Sequence, residues 1–221
     1  GRLAGAPRRA GHDGHARRAA GLLDAPTSAW VASAAIVLSL LCSLIALVVW
    51  AGTPADGRAG LAADAGSAAL TWAWLGEVPI RFGVQLDSLT IIMCVMVTLC
   101  ATCIHVFSAG YMAGDPGLPR FFAFLSLFCF SMLGLVVSRD LLFMFIFWEL
   151  VGACSYFLIG FWFQRRSAST AAIKAFVVNR VGDFGFMVGL ALCMIYVGTL
   201  SLAELPAVME AGAARVGVLS G

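Results

Sequence analysis

Charge is what this sequence has least of. Only 12% of its 221 residues are Asp, Glu, Lys or Arg, about half the roughly 25% of a soluble domain. Lysine occurs once, at Lys174. Hydrophobic residues make up 61%, and a water-soluble globule of this size has no way to bury that much apolar surface. Lipid is the solvent this composition fits. Also missing are a nucleophile–base set, a glycine-rich phosphate loop and a cluster of metal-ligating side chains, so a soluble enzyme is excluded. Cysteine is present at seven positions, all in apolar runs. Cys100-x-x-Cys103 has the spacing of redox and zinc motifs, but no second pair or nearby histidine set completes a site. The cysteines read as small membrane hydrophobes.

What charge there is has an uneven layout. Arg2, Arg8, Arg9, Arg17 and Arg18 fall in the first twenty residues. A nucleic-acid tail is set aside because a hydrophobic helix follows closely, and no nucleic-acid partner is expected. A secretory signal fits poorly, because the apolar run after Trp30 is about as long as a full membrane span. The sequence does not begin with Met, and the expectation is a piece of a longer chain.

Runs of about 20 apolar residues mark the organisation. A basic cytoplasmic segment is expected over residues 1–29 and a first span over 30–50, with Trp30 and Trp50 as interfacial anchors. Residues 51–85 read as an extracytoplasmic loop with an interfacial segment carrying Trp72, Trp74 and Glu77. Residues 86–200 hold four further spans: Asp87 to Tyr111, Phe121 to Val137, Leu141 to Phe163, and Ala168 to Val197. Residues 201–221 read as a truncated surface segment with a short helix from Ser201 to Glu210. The fold class is therefore all-α, a polytopic bundle of five transmembrane helices with membrane lipid around it. A cytoplasmic N-terminus puts Arg120, Arg165 and Arg166 inside as well, leaving Arg58, Arg81 and Arg139 outside.

Four ionisable residues lie where the spans should be apolar: Glu149, Lys174, Arg180 and Asp183. Each costs about 2.5 to 3.5 kcal/mol at a helix centre unless paired or solvated. Glu149 falls about 13 Å along its helix at 1.5 Å per residue, near the midplane of a ~30 Å core. Arg180, on the next antiparallel helix, reaches nearly the same depth, so a Glu149–Arg180 contact is expected. Asp183 follows Arg180 by three and shares its face. Lys174 stands about 120° round the helix from Arg180, shallow enough to snorkel. Arg180 and Asp183 serve equally well as a packing ion pair or as pKa-tuning groups. A midplane carboxylate that changes protonation as its neighbours change is what a proton relay needs, and Glu149 fits that role. Gly152, Ser155, Gly160, Asn179, Gly182, Gly185 and Gly189 surround the set and suggest close helix packing or held water. His105 reads as a satisfied residue near a helix end, and Phe121, Phe122 and Phe124 as lipid-facing or packed rings.

These residues bring a family into view. The series Leu86-Asp87-Ser88-Leu89, Gly110-Tyr111-Met112, Arg120-Phe121-Phe122-Ala123-Phe124-Leu125, Phe147-Trp148-Glu149-Leu150-Val151-Gly152, Cys154-Ser155-Tyr156, Leu158-Ile159-Gly160-Phe161-Trp162 and Lys174 through Asp183 covers roughly half the chain in order. It resembles the antiporter-like, proton-translocating subunit of respiratory complex I, called subunit L in bacteria and chain 5 in mitochondria. The resemblance implies a membrane subunit of NADH:quinone oxidoreductase, coupling electron transfer from NADH to quinone to proton translocation. Glu149, Lys174, Arg180 and Asp183 then match that family's buried charged residues. The other membrane-arm subunits of complex I are the implied partners. NADH, FMN, iron–sulfur clusters and quinone belong to the implied complex, with no cofactor, metal or redox centre expected in this chain. An N-terminal fragment is expected, lacking the family's first helix and everything after the fifth span, including the lysine that partners the glutamate. The same buried charges suit the A-type subunit of an Mrp sodium/proton antiporter or a bicarbonate-uptake relative. A non-transporting membrane scaffold is the alternative of another class. The ratio of thirteen arginines to one lysine suggests a GC-rich bacterium, with the chain in its inner (cytoplasmic) membrane.

Overall fold

The structure, a computed structural model, describes residues 25–67, 70–76 and 78–211. Most of the basic segment expected over 1–29, Glu77 and the last ten residues therefore lie outside the described residues. Along the chain come α1 (Ala25–Gly52), α2 (Ala55–Ser67), the strands β1 (Leu70–Leu75) and β2 (Val78–Phe82), α3 (Ser88–Tyr111), α4 (Leu118–Val137), α5 (Leu141–Ile159) and α6 (Arg166–Leu192). Helix α6 widens into one π-turn at Cys193–Val197 and stops at Gly198, whose φ of +76° favours glycine. All but α2 and the strands are long and apolar enough to cross a membrane, and the chain is an all-α polytopic membrane bundle.

Helices are what an apolar solvent demands, because every backbone N–H and C=O must be satisfied inside the segment. The hydroxyls within the spans obey the same rule by bonding back one turn. Thr98 donates to the Cys94 carbonyl at 2.7 Å and Ser131 to that of Leu127 at 2.6 Å. Two aspartates start helices at one end of the bundle. Asp87 caps α3 by accepting from Thr90 N at 2.7 Å, and Asp140 caps α5 by accepting from Leu142 N at 2.8 Å.

The expected 51–85 loop is more ordered than a loop. It holds α2 and an antiparallel hairpin in which Leu70 faces Phe82 and Leu75 faces Val78, with an irregularity between Thr71 and Ala73. The Trp72 and Phe82 rings pack edge-on against Phe143 in the first turn of α5. The hairpin thus sits at the Asp140 end.

At that end a strip of backbone ties three segments together. Gln85 N donates to Val137 O at 2.9 Å and Arg139 N to Gly83 O at 3.3 Å. On the other edge, Leu141 N donates to Leu200 O at 2.9 Å and Leu202 N to Arg139 O at 3.0 Å. The opposite end is closed by side chains, with Ala29, Met112, Leu118, Phe122 and Phe161 forming one buried cluster. Between the ends, α4 and α5 meet at Gly134, where an added Cβ would lie 2.4 Å from the Phe147 ring. Helix α6 packs against α5, which brings the charged residues of the two together.

Candidate functional site

Glu149 projects from α5 and Arg180 from α6, and the two form an ion pair. The Arg180 guanidinium also lies 3.6 Å from Asp183 Oδ2, one turn further along its own helix. One cation therefore faces two carboxylates. Their side chains are 22% exposed for Glu149 and 9% for Asp183, against 38% for Arg180. The Phe176 ring lies 4.5 Å from the guanidinium carbon, a contact that favours a desolvated cation. The expected Glu149–Arg180 and Arg180–Asp183 contacts both form. Lys174 does not join them: it is exposed on α6 and makes no ion pair among the described residues.

The set borders a groove of about 620 Å³ between α4, α5 and α6, lined by Trp148, Gly152, Ser155, Asn179, Gly182 and Asp183 among others. The small residues read from the sequence split into two groups here. Gly160 is a place of close approach, with an added Cβ meeting Ala172 at 3.3 Å. Gly152, Gly182, Gly185 and Gly189 would meet nothing within 4 Å among the described residues. Of these, Gly152 and Gly182 line the groove. His105, expected as a satisfied residue near a helix end, is buried in α3 six residues before its end, with Nδ1 2.8 Å from the Ala101 carbonyl and its ring edge-on to Phe122. All seven cysteines are free, Cys100 and Cys103 on the exposed side of α3.

Two family models match the chain. The one described as NADH-ubiquinone oxidoreductase (complex I), chain 5 N-terminus, covers residues 72–122. The one described as NADH:quinone oxidoreductase/Mrp antiporter, TM, covers residues 138–220 and so includes Glu149, Lys174, Arg180 and Asp183. The chain belongs to the antiporter-like subunit L/chain 5 family. Among its relatives, NAD(P)H-quinone oxidoreductase chain 5 of Synechocystis is 47% identical over 152 residues, 69% of this chain and 22% of that one. NADH-quinone oxidoreductase subunit L of Mycobacterium tuberculosis is 42% identical over 189 residues, 83% of this chain and 30% of that one. The chain thus spans less than a third of either relative's length. The fold also matches the solved Mrp complex from Dietzia, with a TM-score of 0.62 at 23% identity over 82% of this chain and 19% of that one.

One member of the site in this subunit L relative was not legible from charge alone. Trp148, beside Glu149 on α5, donates its indole N–H to Asp183 Oδ1 at 2.9 Å. Asp183 therefore accepts one hydrogen bond, on Oδ1, while its Oδ2 faces the guanidinium at ion-pair distance. A tryptophan in an apolar run reads as a membrane aromatic. The one signal in the sequence was its place next to the midplane glutamate, opposite a helix carrying an unmatched acceptor.

Proposed function

We propose that the chain is part of a bacterial NADH:quinone oxidoreductase membrane subunit in which Glu149 is the protonatable centre of a proton path. Arg180 and Asp183 set how readily Glu149 gains or loses its proton, and Lys174 links the centre toward the cytoplasmic side. The observation that carries this reading is the single guanidinium shared by two carboxylates at mid-span. Such a set is neutral only with one proton bound, and it changes charge when that proton leaves. A pair built only to lock helices needs one carboxylate per cation. The names of the relatives support NADH and quinone as the substrates of the whole complex, and its other membrane-arm subunits as partners, with lipid on the outer helix faces. The arginine layout supports a cytoplasmic N-terminal side and an extracytoplasmic hairpin in the bacterial inner membrane.

The test is proton pumping in inside-out vesicles carrying the full-length protein in its complex with Glu149→Gln, alongside NADH-to-quinone electron transfer. Pumping is expected to fall by an order of magnitude or more while the assembled complex persists. Wild-type pumping in the variant would make the carboxylate structural and bring the scaffold reading forward.

A further inference from the structure

At the end of the bundle opposite the hairpin, positive charge stands without a counter-charge. Arg120 lies in the first turn of α4 and Arg166 at the start of α6, with Arg165 just before it, and all three are exposed. The carboxylate at this end among the described residues is Asp115. Its oxygens take the Gly117 N–H at 2.7 Å and the Trp162 indole N–H at 3.4 Å. None of the three arginines forms an ion pair among the described residues. Arg165 turns to the Trp162 ring, 5.5 Å from its guanidinium carbon.

Arg120 is held in place with most of its donors unspent. Its Nη2 donates to the Phe161 carbonyl at 3.0 Å, and the guanidinium carbon lies 4.7 Å from the Phe161 ring and 5.5 Å from that of Phe163. A guanidinium carries five N–H donors in a planar fork, so a single carbonyl leaves the fork open to an outside acceptor. Arg120 borders a groove of about 340 Å³ between α4, α5 and α6, whose walls include Phe124, Phe157, Phe163 and Ile173. Three of those four, Phe157, Phe163 and Ile173, are exposed. Ser169 lines the same groove, and Arg166 stands three residues before it, on the same face of α6 and one turn nearer the helix start. The groove thus has two cations at its mouth and an apolar wall beneath them. A free anion would meet the arginines and leave the rings bare. A molecule with an anion at one end and hydrocarbon behind it satisfies both.

We propose that this groove binds an anionic phospholipid, with its phosphate on the guanidinium forks of Arg120 and Arg166 and an acyl chain along Phe124, Phe157 and Ile173. The site is separate from the Glu149 set and stands whether or not the proton-path reading holds.

The experiment is photo-crosslinking of the full-length protein in its complex, in a non-ionic detergent, with phosphatidylglycerol carrying a diazirine in its acyl chain. Peptide mass spectrometry then maps the label. Label is expected in the segments that hold Phe124, Phe157 and Ile173, displaced by plain phosphatidylglycerol and not by phosphatidylcholine of the same chains. Arg120→Gln should weaken the apparent affinity by about fivefold, the ordinary worth of one cation at the membrane surface, and adding Arg166→Gln by about fivefold more. Arg120→Lys keeps the charge and should keep the preference for the anionic lipid. Equal displacement by the two lipids overturns the proposal, since any lipid then occupies the surface. So does the absence of label from these segments, as when a later part of the chain or a partner subunit covers the groove. If Arg120→Gln fails to assemble, Arg166→Gln alone decides, because its side chain is exposed and forms no ion pair among the described residues. A weakened affinity there supports the site, and an unchanged one overturns it.

Discussion

Asp140 caps the first turn of α5, and Glu149 stands nine residues along the same helix, about 13 Å away at 1.5 Å per residue. Asp140 is 2% exposed and is held by backbone donors at the helix end, its Oδ1 taking the Leu142 N–H at 2.8 Å. Burial pushes its carboxyl above the usual value, against hydrogen bonds from the Leu142, Arg81 and Phe143 backbone and with help from the Glu204 charge nearby. Glu149 has no backbone donor among the described residues and depends on a guanidinium from another helix. The difference teaches what each carboxylate is suited to. A group held by backbone N–H donors at a helix end fixes that end and little beyond it. A group held across helices ties its charge state to how α5 and α6 sit together, which is what a relay requires.

The cross-helix half of the comparison should break hardest. Arg180→Leu leaves two carboxylates without their cation and is expected to destabilise the full-length protein by about 3 kcal/mol, the low end for a broken buried pair because the guanidinium is partly exposed. Thermal unfolding in detergent measures it, and Arg180→Lys should recover only part, since an ammonium lacks the planar fork. At the capping end, Asp140→Ala should cost about 1–2 kcal/mol in the same assay, the upper range for a lost cap. Asp140→Asn keeps the accepting oxygen and should stay within a few tenths of wild type near neutral pH, or gain.

Acid titration sharpens the contrast between the two capping aspartates. With its folded pKa raised, Asp140 contributes stability that is full below its ordinary value of 3.8 and lost as pH rises through the raised value. The Asp140→Asn variant should therefore gain on wild type as pH rises from acid toward neutral. Asp87 runs the other way. Burial pushes its carboxyl up, but hydrogen bonds from Thr90, Gln85 and Leu89 outweigh it, and its pKa lies below 3.8. Its stabilisation is present above 3.8 and lost as pH falls through the lowered value. Asp87→Ala should cost about 1 kcal/mol at neutral pH, and unfolding midpoints should show that cost shrinking on acidification.

Much of this was legible in advance, for identifiable reasons. The five spans follow from length and apolarity alone, because lipid leaves the backbone no alternative to a helix. Glu149, Arg180 and Asp183 stand out because charge in such a span is costly, and helix geometry places them at one depth. The hairpin was harder to see. Leu70 to Phe82 is short, and two strands with a bulge give too little alternation to separate from a loop. Trp148 was hidden by its residue type, since an indole serves lipid contact and hydrogen bonding with the same side chain. The sequence marks the glycines at 152, 182, 185 and 189 without saying what packs on them, and among the described residues nothing comes within 4 Å of an added Cβ there. Small residues permit close helix approach, but only packing decides whether a neighbour arrives.

By itself the sequence determined that this is a multi-pass membrane chain of the subunit L/chain 5 family, with a carboxylate and an opposite charge at mid-span. That much is fixed by hydrophobic length, by the cost of buried charge and by the order of the motifs. The tertiary structure decided which oxygens meet which donors. It aimed the Trp148 N–H at Asp183 Oδ1, set Arg180 against Glu149, and kept Lys174 apart from the pair. Those assignments depend on the rotation of α5 against α6, and rotation is set by packing across the whole interface rather than by any residue read alone.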